Sequence, residues 1–253
     1  MGKVWNVGVA GLGAMGRVVA GGLASGELPG MRLAAVAEVC AENPFDVPKV
    51  DFCALALACD LVCECLPAAA VPDLAAACLP AGTDMVVITS AALLLYPEIL
   101  EAHRDSRARI FVPSGALAGM DAVRALASAG AVTGARLAST KPPAGFGRAD
   151  IVDKTRIFAG NALGAARAYP ANVNVAATLT LASGLPPEAV EVEVWADPAA
   201  TGNTHEIRVE SAFSVVTARV EGQPDPANPK TSALAGRSVL AALRRLTAPL
   251  VVG

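Results

Sequence analysis

Aromatic residues and dense runs of one charge are scarce in this chain of 253 residues. Aromatic residues make up 4% of it, and the formal net charge is −3. Nucleic-acid binding uses clusters of Lys and Arg and aromatic stacking surfaces, so this composition argues against a nucleic-acid partner. A hydrophobic fraction of 54% against 17% charged residues predicts a compact folded chain.

Patterns typical of metal sites and of disulfide scaffolds are also missing. The six cysteines include no Cys-x-x-Cys pair and have no neighbouring histidine: Cys40, Cys53, Cys59, Cys63, Cys65 and Cys78. Structural zinc sites use paired ligands at short spacing, and disulfide scaffolds are small cysteine-dense chains. We therefore expect no bound metal, and reduced thiols that serve as small core residues.

Long apolar runs of the membrane-spanning kind are not present either. The longest uncharged stretch, Ala168–Pro187, is interrupted by proline, asparagine and threonine. The N-terminus has no basic segment followed by an apolar core, because glycines break its apolar run. We expect a cytoplasmic protein with no membrane contact.

The strongest motif lies near the N-terminus, where the apolar run Val4–Ala10 leads into the glycine-rich segment Gly11–Gly16. In a G-x-G-x-x-G turn the first glycine allows the bend, the second admits a pyrophosphate, and the third lets helix and strand pack closely. We predict a dinucleotide at the start of the following helix; a ligand-free strand-to-helix turn is the alternative. The predicted contacts are Gly11, Gly13, Ala14, Met15 and Gly16.

An acidic residue, Glu38, follows the second predicted strand, Arg32–Ala37. In dinucleotide-binding folds such a residue binds the adenine ribose hydroxyls of NAD, and its charge repels the extra phosphate of NADP. The next residues, Val39–Ala41, supply no Arg or Lys for that phosphate. We expect NAD, with NADP less favoured; an ordinary solvated carboxylate is the alternative.

Two kinds of strand pattern follow one another along the chain. Fully apolar strands alternate with helices up to Pro113, at Asp60–Cys65, Met85–Ile88 and Arg109–Val112. This pattern predicts an α/β domain with a Rossmann, doubly wound parallel sheet.

Period-two strands follow at Val190–Val194, His205–Val209 and Phe213–Val220, which predicts a second, α+β domain with an open mixed or antiparallel sheet. An amphipathic helix over Thr231–Gly253 is expected to return to the first domain. The predicted domains are residues 1–114 plus 230–253 for the dinucleotide and 115–229 for substrate and catalysis.

Several motifs spread along the chain resemble those of the L-aspartate dehydrogenase family. That family couples a Rossmann domain to a second αβ domain and oxidises L-aspartate with NAD or NADP. The matching segments are Pro113–Ala122, Lys141–Pro143, Pro170–Thr178, Asn203–Ile207 and Asn228–Ser232. Together they are more specific than the glycine motif.

The resemblance implies roles for particular residues. The histidine of the Asn-x-His-Glu-Ile segment is the family's proposed catalytic residue, which places that role on His205. The Ser-Gly-Ala loop and the Pro-x-Asn-x-Asn segment contact the cofactor, which points to Ala116, Ala118 and Asn174. This chain departs from the family at Thr140, where an Arg is common.

Oxidising an α-amino acid requires hydride loss from Cα, proton loss from the ammonium, and attack of water on the iminium. Histidine exchanges protons near neutral pH, so we expect His205 to activate the water while Asn203 holds loop and substrate. A dicarboxylate substrate also needs positive charge or N–H donors, for which we expect Lys141, Asn172 and Lys230.

The predicted function is NAD(P)-dependent oxidative deamination of L-aspartate to oxaloacetate and ammonia through iminoaspartate, by a homodimer. Iminoaspartate could feed the biosynthesis of NAD. Two alternatives stay open. One is a dehydrogenase or imine reductase acting on a related amino acid, and the other is a non-catalytic NAD-binding sensor.

Overall fold

The computed structural model describes residues 3–39, 42–225 and 228–252. The chain divides into two compact units. The first unit consists of Met1–Pro113 and Gly236–Gly253, and the second of Ser114–Ala235. Among the described residues, no helix is long and apolar enough to cross a membrane.

Five parallel strands form the sheet of the first unit, in the order β2-β1-β3-β4-β5. They are β1 (Trp5–Ala10), β2 (Met31–Ala37), β3 (Leu61–Glu64), β4 (Asp84–Val87) and β5 (Ile110–Phe111). Every residue of β3 and β4 is buried, as expected when helices cover both faces of a parallel sheet. The predicted Rossmann fold is confirmed.

Helices connect these strands. They are α1 (Ala14–Ala24), α2 (Phe52–Ala58), α3 (Val71–Ala81), α4 (Ala91–Leu95) and α5 (Glu98–Arg104). The short α2 is absent from the sequence-based expectation, and it begins where the Asp51 side chain accepts a hydrogen bond from Ala54 N at 2.7 Å. The described cysteines are free thiols, and Cys53 is exposed rather than in the core.

A five-stranded mixed sheet forms the second unit, in the order β10-β9-β6-β8-β7. Its strands are β6 (Val132–Lys141), β7 (Thr155–Asn161), β8 (Val190–Ala196), β9 (Thr204–Ser211) and β10 (Val215–Glu221). The β6/β8 pair is parallel and the other pairs are antiparallel, so the predicted mixed sheet is confirmed. Two short strands, β11 (Pro224–Asp225) and β12 (Asn228–Ser232), pair separately.

One face of this mixed sheet is covered by helices. Buried and more exposed residues alternate along β6, β8 and β9, as period-two strands require. Helix α8 packs on β6 and β8 and contacts its two helical neighbours. The three helices are α6 (Met120–Ser128), α7 (Ala162–Ala168) and α8 (Asn174–Ser183).

The last helix, α9 (Ala233–Thr247), packs on the core of the first unit through Val239, Leu240 and Leu243. Glycines allow the close approach of α9 to α1. A Cβ on Gly22 would lie 2.8 Å from Leu240 Cδ2, and one on Gly236 would lie 3.2 Å from Val18 Cγ1. The predicted return of the C-terminal helix to the first domain is confirmed.

Candidate active site

Two glycines of the N-terminal turn are required by the backbone itself. Gly11 has a φ of +89°, a conformation that other residues rarely adopt, and a Cβ there would overlap the carbonyl oxygen of Cys65. A Cβ on Gly16 would overlap the carbonyl oxygen of Gly11. The tight turn between β1 and α1 therefore excludes side chains at both positions.

Gly13, by contrast, faces open space. A Cβ built on Gly13 meets no atom within 4 Å, and no side chain caps the start of α1 at this residue. The first N–H groups of a helix have no partner within the helix, and here they belong to Ala14, Met15 and Gly16. Open space in front of uncapped N–H donors fits the pyrophosphate of a dinucleotide.

Glu38 lies at this glycine turn. Its Oε2 accepts a hydrogen bond from Leu12 N at 2.6 Å, and its Oε1 accepts one from Val39 N at 2.8 Å. The carboxylate is thus held where β2 ends, beside the turn that follows β1. The described neighbour Val39 is exposed and uncharged, and Cys40 and Ala41 lie outside the described residues.

A second carboxyl in the first unit, Glu64, was not among the predicted site residues. It ends β3 with 1% of its surface exposed, and it accepts hydrogen bonds from Leu66 N at 2.5 Å and Thr89 N at 2.9 Å. Burial raises the pKa of Glu64 to about 7, against the lowering effect of these bonds. In the sequence, the feature that could have indicated Glu64 is a single acidic residue among the apolar residues of a strand.

Three predicted cofactor contacts belong to the second unit. Ala116 is buried and Ala118 exposed, in a loop whose Gly115 and Gly119 have φ values of +62° and +74°. This loop leads directly into α6. Asn174 is the first residue of α8 and is partly buried.

His205 and Ser139 form a buried pair in the second unit. They are opposite residues on β9 and β6, and Ser139 Oγ lies 2.9 Å from His205 Nδ1. Both side chains are almost fully buried, at 3% and 1% exposed. The hydroxyl therefore fixes the orientation of the imidazole ring.

Lys141 and Asn172 form a second buried contact in this unit. Lys141 Nζ donates to Asn172 O at 2.9 Å and to Asn172 Oδ1 at 3.1 Å. The ring of Phe146 lies 5.9 Å from the same nitrogen. The structure thus joins two residues that were predicted separately as substrate contacts.

Burial shifts the pKa of both basic groups downward. Desolvation, with a smaller effect from the charge of Lys141, lowers the pKa of His205 to about 3. Desolvation lowers the pKa of Lys141 to about 8. The imidazole is therefore neutral at physiological pH, and proton exchange by His205 stays a prediction.

Asn203 and Lys230 are the two remaining predicted site residues of the second unit. Asn203 comes just before β9, and its carbonyl accepts a hydrogen bond from Gly222 N at 2.8 Å. The side chain of Lys230 lies outside the described part of the structure. Ser139 and Phe146 are contacts that sequence reasoning missed; the alternation of β6 places Ser139 on the face of Lys141.

The described residues include no group of three or more His, Cys, Asp or Glu side chains able to hold a metal ion. A Rossmann unit with an open glycine turn, and a second unit with a buried imidazole and a buried amine, define a two-domain oxidoreductase that uses a nicotinamide dinucleotide.

Comparison with family models agrees with this class. Residues 11–113 match the NAD-binding domain of homoserine dehydrogenase, and residues 121–246 match the C-terminal domain of aspartate dehydrogenase. The chain belongs to the L-aspartate dehydrogenase family.

Individual relatives match most or nearly all of the chain. It is 40% identical to L-aspartate dehydrogenase 3 of Bordetella bronchiseptica, over 98% of this chain and 97% of that protein. It is 38% identical to L-aspartate dehydrogenase of Methanococcoides burtonii, over 77% and 76%. The crystal structure of aspartate dehydrogenase from Thermotoga maritima matches with a TM-score of 0.79 at 26% identity, over 98% and 99%.

Proposed function

We propose that this chain catalyses the NAD-dependent oxidative deamination of L-aspartate, giving oxaloacetate and ammonia through iminoaspartate. The observation that carries the proposal is the buried amine of Lys141 on the same sheet face as the imidazole of His205. Relatives that match most of the chain bear the name of this activity. A buried amine without a carboxylate partner suits an anionic substrate.

The first unit would hold the cofactor. The N–H groups of Ala14–Gly16 would bind the pyrophosphate, and Glu38 the adenine ribose. When bound, NAD accepts a hydride from the substrate Cα. The carboxylate of Glu38, held beside Leu12, would repel a 2′-phosphate, which supports NAD over NADP. Ala116, Ala118 and Asn174 are further proposed contacts.

The second unit would hold the substrate. Lys141 and Asn172 are the proposed contacts to its carboxylates, supported by their mutual hydrogen bonds. Lys230 is proposed for the same role from sequence. His205 would hydrogen-bond the reacting water, with Asn203 keeping the preceding loop in place.

The test of this function is NADH formation with purified protein, NAD or NADP, and a panel of amino acids. We expect turnover with L-aspartate and NAD. Turnover with another amino acid alone would favour the related dehydrogenase. NAD binding without turnover of any amino acid would favour the sensor.

A variant addresses the role of His205. We expect His205→Asn to lower kcat by about 10²–10³-fold while the Kd of NADH stays unchanged, because the imidazole is proposed to contact the reacting water and not the nucleotide. If His205→Asn kept most of its kcat, His205 would have no part in the mechanism. His103→Asn, in the last turn of α5 in the first unit, is the matched control.

We also propose a cytoplasmic homodimer. The described cysteines are free thiols, which supports this location because the cytoplasm keeps thiols reduced. Light scattering at several protein concentrations tests the assembly, and a monomer at all of them would rule it out.

A further inference from the structure

Three buried polar side chains share one otherwise apolar face of the mixed sheet. Ser139 and Lys141 are two residues apart on β6 and therefore point to the same face, and His205 lies opposite Ser139 on β9. Buried polar groups are costly unless they are hydrogen-bonded. The hydrogen bonds of each side chain therefore indicate the form in which it is buried.

The contacts of Lys141 suit a neutral amine. A neutral amine has two N–H groups, which the two oxygens of Asn172 satisfy, and a lone pair that stays available for a proton. An ammonium would bring a third N–H and a full charge. Among the described residues no carboxylate forms an ion pair with Lys141.

Burial also favours the neutral amine of Lys141. The lowered pKa of Lys141, about 8, leaves both amine and ammonium present just above neutral pH. His205, whose pKa falls to about 3, stays neutral over the same range. Lys141 is thus the member of this pair that can exchange a proton under working conditions.

We propose that Lys141 is the catalytic base: it takes a proton from the water that attacks the substrate iminium and returns it to the departing nitrogen. This inference rests on the proposed function, because it requires an amino-acid substrate. His205 serves beside it as a neutral hydrogen-bonding group, held by Ser139 at 2.9 Å.

The step balances with a single base. The substrate ammonium first loses a proton to solvent, and the Cα–H bond then breaks with its electron pair leaving to NAD, which produces the iminium. The water oxygen bonds to the iminium carbon while Lys141 takes one water proton. Lys141 gives this proton to the carbinolamine nitrogen, the C–N bond breaks, and ammonia leaves. The hydroxyl proton goes to solvent as the C=O bond forms.

Lys141→Arg separates proton transfer from positive charge. Arginine can still bind a carboxylate, but its pKa above about 12 prevents it from acting as a base. We expect kcat with L-aspartate to fall by about 10²–10⁴-fold while KM changes by less than about tenfold. In the wild type, the pH profile of kcat/KM should show an ionisation near 8, in addition to that of the substrate ammonium, and the ionisation near 8 should be missing in the variant.

Two measurements do not rely on the Arg variant being active. Methylamine should restore part of the activity of Lys141→Ala, because it supplies the missing base. NMR of the protein labelled with ¹³C-lysine should show one lysine titrating near 8, and Lys141→Arg should lack that signal. An unchanged Kd for NADH serves as the control for correct folding.

The outcomes separate the two proposals. An Arg variant that keeps kcat and shows a raised KM would limit Lys141 to its proposed contact with a substrate carboxylate and overturn this inference, with the proposed function intact. So would a Lys141 signal that titrates at the ordinary lysine pKa. A wild type that oxidises no amino acid would overturn the proposed function and this inference with it.

Discussion

Glu64 in the first unit and Lys141 in the second are both buried ionisable side chains, at 1% and 6% exposed, with opposite charges. Neither forms an ion pair with a described residue. Glu64 accepts backbone N–H groups from the loops after β3 and β4, whereas Lys141 donates to the two oxygens of one asparagine.

The difference lies in what each arrangement leaves available. Both oxygens of Glu64 are used to hold Leu66 and Thr89, and the Thr89 hydroxyl donates to Leu66 O at 2.8 Å. Cys65 lies between Glu64 and Leu66 in the chain, and its carbonyl group packs against the glycine turn at Gly11. Glu64 therefore supports backbone geometry, while the proposed role of Lys141 requires a free lone pair. Under the proposed function, the pyrophosphate site of the first unit consists of backbone N–H groups, and the substrate site of the second unit consists of side chains.

Among the variants that follow from this comparison, Gly16→Ala should have the largest effect, and it tests the role of the backbone in the first unit. Gly16→Ala places a methyl group against the Gly11 carbonyl oxygen and forces the turn open. We expect the Kd of NADH to rise by about 100-fold, or roughly 3 kcal/mol. Gly21→Ala is the control in the same helix, because a Cβ there meets no atom within 4 Å. Equal affinity in both variants would contradict the role of the turn.

Removal of the Glu64 carboxyl should act on stability. Glu64→Ala leaves the N–H groups of Leu66 and Thr89 without acceptors, which costs about 1–3 kcal/mol for each group. We expect the free energy of unfolding of the first unit to fall by about 2 kcal/mol, the lower end of the sum for the two groups, measured by urea denaturation with Trp5 as the probe. In a Trp195→Phe background the tryptophan fluorescence comes from Trp5 alone and therefore reports on the first unit. A decrease in the free energy of unfolding below about 0.5 kcal/mol would contradict the supporting role of Glu64.

The two buried groups should give opposite pH dependences of stability. Because the pKa of Glu64 is raised from 4.5 to about 7, its contribution to the free energy of unfolding is fully present below a pH of about 4.5. This contribution is lost as the pH rises to about 7. Because the pKa of Lys141 is lowered from 10.5 to about 8, its contribution is present above about 10.5 and is lost as pH falls to about 8.

The loss of stability across each pH range is on the order of 3 kcal/mol. Unfolding followed at Trp5 should lose the acidic slope in Glu64→Gln, and unfolding followed at Trp195 should lose the alkaline slope in Lys141→Met. Slopes that survive these substitutions would show that other groups control the pH dependence.

The smallest effect concerns the orientation of His205. Ser139→Ala removes the hydroxyl that lies 2.9 Å from Nδ1, so we expect kcat to fall about tenfold, or roughly 1.4 kcal/mol. Ser183→Ala is the matched control, since this buried hydroxyl donates to Thr180 O and not to the histidine. A similar loss of kcat in both variants would point to general loosening of the unit.

Sequence reasoning located the apolar strands of the first unit within a residue or two, such as Met85–Ile88 for the observed Asp84–Val87. It missed β6 entirely, although β6 is the longest strand. Ser139 and Lys141 occupy buried positions of β6, so polar residues stand where the alternating pattern requires apolar ones. It also missed β7, an edge strand with no buried residue and hence no pattern.

The sequence by itself determined the glycine turn, because the need for positive φ at Gly11 and for close approach at Gly16 arises within a few residues of backbone. Tertiary structure decided the chemistry of the second unit. His205 and Ser139 are 66 positions apart, and Lys141 meets Asn172 across 31. The lowered pKa values of His205 and Lys141 follow from desolvation, which exists only once the sheet and α8 have packed together.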